Sequence, residues 1–173
     1  MPTRPRRPFA VAAALVGALT ALPALAGCTV PIAGVTGISV TEDGRPLGVI
    51  VMCHDHIDVA LLALDDPDPE AVEYVGEWGR ADPLTGFSTW PLTAPTTAPA
   101  DGWTVDTRLA KLDPKRSYHL YGATEDNSWS AVGVSFTLAD LKKLKPGQVL
   151  REGAEGPTTT SLENFRAHTC DDS

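Results

Sequence analysis

The chain has 173 residues, with 22 acidic and 14 basic side chains and three cysteines. A chain of this length accommodates one domain and a short appendage. The first 27 residues hold three of the basic side chains and no acidic one, so the remaining 146 residues carry 22 acidic and 11 basic groups. A body this acidic, without a cluster of Lys or Arg, argues against nucleic acid and anionic membrane surfaces as partners.

The N-terminal appendage has the pattern of an export signal. Arg4, Arg6 and Arg7 precede an apolar run over residues 9–26 that ends in small residues. This order of basic, apolar and small residues is typical of a secretory signal. The residues Arg-Arg-Pro-Phe at 6–9 also resemble a twin-arginine signal, so two export routes stay open.

Residues 25–28 read Leu-Ala-Gly-Cys, which resembles the bacterial lipobox. The resemblance implies that residues 1–27 are a signal peptide that is removed and that Cys28 receives a diacylglyceryl group. Acyl CH₂ groups contribute about 0.8 kcal/mol each on burial, so two or three chains hold a protein stably at the extracytoplasmic face of the cell membrane. The alternative is an ordinary secretory signal followed by an incidental cysteine.

The remaining cysteines predict a disulfide. If Cys28 carries lipid, Cys53 and Cys170 are left as an even pair in an exported chain, and such pairs are usually bridged. The bridge would close a loop of more than 100 residues and would fix a C-terminus that otherwise frays.

The first half of the body predicts strands. Residues 28–37 are small and turn-rich and predict a tether, and residues 38–173 predict one domain. Residues 47–53 are apolar on both faces, as in a central strand, and residues 57–64 form a second apolar run. We expect these two runs to be antiparallel strands joined by a short loop. Acidic residues and prolines at 65–70 predict an exposed loop.

The second half contains the best structural motif. Leu112, Pro114 and Tyr118, the last of which opens an alternating strand, resemble the tyrosine corner of fibronectin type III and other immunoglobulin-like sandwiches. There the buried tyrosine hydroxyl bonds backwards to the main chain. The alternation places His119 and Tyr121 on the outer face of this strand.

Only one short helix is predicted, near residues 138–145, because Thr137 and Asp140 form a capping box and Pro146 ends the pattern. Residues 148–150 predict a strand, 153–160 a loop, and 161–170 a final strand or extended tail. The whole chain therefore predicts an all-β, immunoglobulin-like (fibronectin type III-like) sandwich of seven or eight strands.

The body also resembles a group of small lipoproteins from high-GC Gram-positive bacteria, whose activity is not known. The similar features are Gly48-Val49 leading to Cys53, His56-Ile57-Asp58, the strand Leu120-Tyr121-Gly122 with Asp126-Asn127, and Leu144-Lys-Pro-Gly-Gln148. The resemblance implies a lipid-anchored envelope protein and adds no site residue.

The segment richest in potential metal-ligating side chains is His54-Asp55-His56 with Asp58. In a strand, His54 and His56 would point to the same side and could present two imidazoles to a metal, with a carboxylate in support. A zinc site needs three or four ligands, and the sequence does not indicate whether His119 or His168 approaches. We therefore expect a polar loop beside the disulfide and no metal or other cofactor.

No nucleophile motif appears in the sequence, so we expect no catalytic residue. The four tryptophans, at 78, 90, 103 and 129, are expected in the core, with a carbohydrate-stacking surface as the alternative. The sequence thus favours a non-catalytic binding or structural module held in the membrane by lipid on Cys28 and contacting other envelope proteins. The competing hypothesis is a metal-binding or hydrolytic surface protein that uses the His54-Asp55-His56 segment.

Overall fold

A computed structural model describes residues 29–65, 72–93, 102–109 and 111–171. The predicted all-β class is confirmed: the described ranges contain eleven strands and two short helices. None of these helices has the length and apolar character needed to cross a bilayer. The strands are β1 (Ile32–Val40), β2 (Pro46–Met52), β3 (Ile57–Leu64), β4 (Tyr74–Leu84), β5 (Phe87–Pro91), β6 (Trp103–Thr107), β7 (Ser117–Ala123), β8 (Ser130–Val132), β9 (Val134–Thr137), β10 (Gln148–Gly153) and β11 (Gly156–Ser161), and the helices are α1 (Leu138–Leu141) and α2 (Leu162–His168).

All of these strands belong to one hydrogen-bonded sheet, and not to two separate sheets. Its main path runs β5-β2-β1-β8-β7-β3-β4-β6, with every neighbour antiparallel except β1 and β8. One edge of β1 is shared: its first half pairs with β8, and Gly37–Ser39 pair with β10, which continues to β11. The count exceeds the seven or eight strands predicted because the β10–β11 hairpin branches from β1 and because the strand after Ser130 is divided into β8 and β9.

The two ends of the main path meet through tryptophan side chains, which makes the sheet barrel-like. The ring centroids of Trp90 on β5 and Trp103 on β6 are 4.6 Å apart, and Trp78 on β4 packs against Trp90 at 6.3 Å. Trp103 Nε1 donates a buried hydrogen bond of 2.9 Å to Ser88 Oγ on β5. The space that the curled sheet encloses holds the main apolar core.

Strand β2 is buried on both faces, as its sequence predicted. Ile50 faces the main core, whereas Val49 and Val51 belong to a second cluster on the outer side of the sheet. Phe165 of α2 and Val149 of β10 complete this second cluster. Helix α2 therefore covers the outer face of the β1–β2 region.

The C-terminal region corrects two predictions. Residues 156–161 are strand β11, although residues 153–160 were expected to be a loop, because β11 is an exposed edge strand without apolar alternation. The expected final strand or extended tail at 161–170 is mainly helix α2, whose N-cap Ser161 accepts a hydrogen bond from Asn164 N. Leu162 and Phe165, three residues apart, give this helix its buried side.

Two further corrections concern the N-terminal half. Strand β1 begins at Ile32, so residues 32–37 of the predicted tether are part of the sheet. Strands β2 and β3 do not form a hairpin: β2 pairs with β1 and β5, and β3 pairs with β4 and β7. The predicted signal peptide, Cys28 and most of the acidic 65–70 segment lie outside the described residues.

Local capping and turn chemistry were predicted well. Helix α1 begins where predicted, with the capping box of Thr137 and Asp140, but it ends at Leu141, before the predicted end near residue 145. Tyr118 is buried, and its hydroxyl accepts a hydrogen bond of 2.6 Å from the main-chain N–H of Asp113. Leu112, the other residue of the predicted corner, is also buried.

The disulfide between Cys53 and Cys170 is confirmed, with the two Cα atoms 5.3 Å apart. It joins the end of β2 to the turn that follows α2. The two cysteines are 117 positions apart in the sequence. The helix that covers β2 is thus attached covalently to the strand that it covers.

We expect the double substitution Cys53→Ala and Cys170→Ala to lower the free energy of unfolding by about 4 kcal/mol, because the unfolded chain is no longer cross-linked over a long loop. Urea denaturation of the variant and of the parent measures the difference. The parent treated with a reductant serves as control and should unfold like the variant. Equal urea midpoints for the oxidised parent and the variant would contradict the expectation.

Substituting Tyr118→Phe removes the hydroxyl that binds Asp113 and should cost about 1 kcal/mol of unfolding free energy. The matched control is Tyr74→Phe, because Tyr74 is 49% exposed and its hydroxyl contacts that of Tyr121 in an exposed position. That control should change stability by less than about 0.5 kcal/mol. Equal effects of the two substitutions would show that the backward hydrogen bond does not stabilise the fold.

Candidate functional site

The His54–Asp58 segment begins in a loop beside the disulfide, as expected, and enters β3 at Ile57, so His54 and His56 do not share the strand that would present both to one side. Residues 53–55 form a bend, and Asp55 has a φ of 50°. The His54 ring meets the indole of Trp129 edge to face at 5.5 Å, and Asp58 Oδ1 accepts a hydrogen bond of 2.8 Å from Glu125 N. Within the described part of the chain, no three His, Cys, Asp or Glu side chains gather as a metal site would require.

Both contacts of this segment hold the loop between β7 and β8, residues 124–129. Thr124 N donates to Trp129 O, and Trp129 N donates to Thr124 Oγ1, each at 3.0 Å. Asn127 occupies the left-handed region with a φ of 58°, and its N–H donates to Thr124 O. The Ser128 hydroxyl and N–H both donate to Asp126, which lowers the pKa of that carboxyl to about 2. The loop is therefore fixed by its own hydrogen bonds.

Beside this loop lies a pocket of about 310 Å³ on the outer face of β7 and β8, which we call the Trp129 pocket. The residues that line it are uncharged: Val30, His119, Tyr121, Ala123, Asn127, Trp129, Ser130, Ala131 and Gly133. The sequence correctly placed His119 and Tyr121 on the outer face of β7. It did not indicate that Trp129 joins them, because the connection depends on the loop conformation.

His119 is held in one orientation. Its Nδ1 lies 3.1 Å from Ser135 Oγ, and its Nε2 lies over Gly133, where any Cβ would overlap it. Burial lowers the pKa of His119, and the negative charges of Asp65 and Glu152 only partly oppose this shift. The imidazole is therefore neutral at neutral pH.

Tyr121 stands next to His119, with ring centroids 5.6 Å apart. Its hydroxyl lies 3.1 Å from the hydroxyl of Tyr74 on β4. Burial is the main cause that raises the pKa of Tyr121, and the hydrogen bond to Tyr74 adds to it. The phenol therefore stays protonated and keeps its donor.

The contact between Ser135 and His119 does not amount to a catalytic arrangement. A serine nucleophile needs its histidine oriented by a third group and an oxyanion site beside it. Among the described residues, no side chain bonds to the second ring nitrogen of His119. The contact joins directly opposite positions on β7 and β9 and orients the imidazole.

The tryptophans divide into two groups. Trp78, Trp90 and Trp103 are buried in the main core, so a carbohydrate-stacking surface formed by all four is wrong. Trp129 is half-buried and lines the pocket. Of the four tryptophans, Trp129 is therefore the one whose ring is available to a ligand.

A larger groove of about 440 Å³ lies beside α1. Its lining is mainly aliphatic and includes Leu138, Leu141 and Leu144. It lacks the aromatic rings that converge with neutral polar groups in the Trp129 pocket, which makes the Trp129 pocket the better candidate site.

No protein-family model, no curated protein and no solved structure matches this chain.

The lowered pKa of His119 predicts a pH dependence of stability. Below the ordinary value of 6.5, the unfolded chain binds a proton that the folded chain does not, so the free energy of unfolding falls as the pH decreases from 6.5 towards the folded pKa. Above pH 6.5, His119 is neutral in both the folded and the unfolded chain and does not change the free energy of unfolding. We expect His119→Gln to lose less unfolding free energy than the parent between about pH 7.5 and about pH 5.5. Urea denaturation at the two pH values measures the difference.

His168→Gln is the matched control, because His168 is exposed on α2 outside the pocket. NMR titration of the ring proton of His119 tests the same point directly. A midpoint at or above 6.5 would contradict the proposed effect of burial.

Proposed function

We propose that this chain is an extracytoplasmic lipoprotein of a high-GC Gram-positive cell envelope and that it acts as a non-catalytic binding module. The disulfide between Cys53 and Cys170 is the observation that carries the proposal. Structural disulfides persist in oxidising compartments and are rare in the cytosol. An exported chain is also what the signal-like residues 1–27 predict.

The pairing of Cys53 with Cys170 also supports lipidation. It leaves Cys28 as the third cysteine of the chain, and Cys28 ends the Leu-Ala-Gly-Cys motif. A free thiol outside the cell is open to oxidation, whereas a thioether to diacylglycerol is stable and fixes the protein to the membrane. The membrane is therefore the first partner of the proposed module, and other envelope proteins are the second.

A binding role is supported by the chemistry of the Trp129 pocket. Its lining is uncharged, since burial lowers the pKa of His119 and raises the pKa of Tyr121, and both changes favour the neutral form. Catalytic sites need pairs of groups poised to exchange protons, and binding sites need rigid rings and fixed hydrogen-bonding groups. The Trp129 pocket has the rigid rings and fixed hydrogen-bonding groups of a binding site.

The proposal includes an immunoglobulin-like relationship of the fold. Its support is the buried Tyr118, with the backward hydrogen bond to Asp113, after the buried Leu112. The single continuous sheet differs from the two packed sheets of such a sandwich, so the relationship rests on the tyrosine corner.

The test compares the native chain with Cys28→Ala in an actinobacterial host. We expect the native chain to fractionate with membranes and to begin at Cys28 with a mass increased by the diacylglyceryl group. The variant should leave the membrane fraction or remain unprocessed. The control Cys170→Ala should keep its lipid, because it changes a different cysteine.

A native chain that is cleaved elsewhere, or that carries an unmodified Cys28, would overturn the anchoring. A chain that turns over a substrate, with the turnover abolished by His56→Ala, would overturn the non-catalytic role.

A further inference from the structure

We propose that the Trp129 pocket binds the ring of a neutral hexose in its pyranose form. This inference names the ligand class of the proposed binding module and rests on that function. It does not depend on lipidation, because the pocket is built wholly from described residues of the body.

The first step is charge. The chain has 36 acidic and basic side chains in total, yet none of them lines the pocket. A charged ligand would lose its hydration without gaining a counter-charge, which is costly. The ligand that fits is therefore neutral.

The second step is the aromatic surface. Trp129 and Tyr121 both line the pocket, and each ring makes a contact with a side chain outside the lining. The edge-to-face contact with His54 fixes Trp129, and the hydroxyl of Tyr74 fixes Tyr121. Rings that are already ordered lose little entropy on binding, and their faces suit the C–H face of a sugar ring.

The third step is the set of hydrogen-bonding groups. His119, Asn127 and Ser130 add neutral donors and acceptors to the same lining. Since Nδ1 of His119 already faces Ser135, Nε2 is the ring nitrogen left for a ligand among the described contacts. A purely aliphatic ligand would bury these groups without partners, whereas the hydroxyls of a hexose satisfy them.

The fourth step is size. A volume of about 310 Å³ is at the lower end of the range for small-molecule sites. It suits one ring and excludes a long acyl chain. The bound unit is therefore one hexose, either free, at the end of a glycan, or in the headgroup of a glycolipid.

The position of the pocket makes both sources of the hexose relevant. Val30 lines it and stands two residues after Cys28 in the sequence. A lipid on Cys28 would hold the pocket near the headgroups of the membrane, because two residues span at most about 7 Å. The experiment therefore presents the hexose both in solution and on a membrane.

The full chain, purified from whichever fraction contains it, is titrated with the methyl glycosides of glucose, galactose, mannose and N-acetylglucosamine. The indole N–H signal of Trp129, assigned with Trp129→Phe, reports binding by NMR. We expect saturable shifts with at least one glycoside, with a dissociation constant near or below about 1 mM. Flotation of the Cys28→Ala chain, which has no lipid to insert, with phosphatidylcholine vesicles, with and without galactosyl diacylglycerol, tests the membrane source.

Two substitutions at Asn127 test the pocket without removing an aromatic ring. Asn127→Asp introduces a negative charge and should weaken binding about tenfold. Asn127→Gly keeps the left-handed backbone, removes the amide and should weaken binding less. The matched control Asn164→Asp changes an exposed asparagine on α2 and should leave binding unchanged.

Trp129→Ala should abolish binding, followed by isothermal titration calorimetry because this variant lacks the reporting indole, with the circular dichroism spectrum as the check of folding. Shifts with free glycosides alone identify a soluble glycan as the source, and vesicle binding that requires the glycolipid identifies the headgroup. No response to any glycoside or to the glycolipid, equal binding by Asn127→Asp, or equal binding of glucuronate would overturn the proposal. If a chain without lipid binds a glycoside, the anchoring fails and the sugar site stands.

Discussion

The closure of the sheet by Trp90 is the constraint on which the rest of the structure depends. The indole lies between Trp78 and Trp103 and so joins β5 to the strands at the opposite end of the sheet. Gly48, directly opposite Trp90 on β2, leaves the room that the ring occupies. Within the described residues, Trp90 Nε1 has no hydrogen-bond partner, at a cost of about 1 to 3 kcal/mol. Burial of the ring contributes about 4 to 6 kcal/mol and outweighs that cost.

The curled sheet also determines where the outer features lie. Its interior is filled by core side chains, so a ligand site has to form on the outside, where loops and branches leave hollows. At the division between β8 and β9, Gly133 leaves the space that the imidazole of His119 occupies. The branch of β1 towards β10 creates the second outer surface, which α2 covers. The hollow beside β8 and β9 is therefore open, whereas α2 covers the outer surface between β2 and β10.

The parts of this fold that the sequence predicted are the parts that local chemistry decides. The two-faced burial of β2, the capping box at Thr137 and the outward positions of His119 and Tyr121 follow from spacing within one element. The bridge from Cys53 to Cys170 followed from counting cysteines. Strand pairing is different, because it depends on residues that are distant in sequence. The expected β2–β3 hairpin is wrong for that reason.

The candidate site shows the same division. The polar loop expected after Cys53 is present, whereas the alternative use of His54 and His56 as metal ligands assumed a strand; residues 53–55 form a bend, and His54 contacts Trp129. A local signal for α2 was present in Leu162 and Phe165, three residues apart after Ser161. The meeting of His54 with Trp129 has no local signal, since it requires two loops that come together only in the folded chain.

The disulfide and the pocket are linked through one short connection. Ala33 O on β1 accepts hydrogen bonds from both Cys53 N, at 2.8 Å, and His54 N, at 3.2 Å. The bridge acts mainly on the unfolded chain, whereas these two hydrogen bonds act on the folded one. The orientation of His54 against Trp129 is therefore fixed by β1 itself. The proposed ligand site includes Val30, directly before β1, and therefore lies two residues along the chain from the proposed membrane anchor at Cys28.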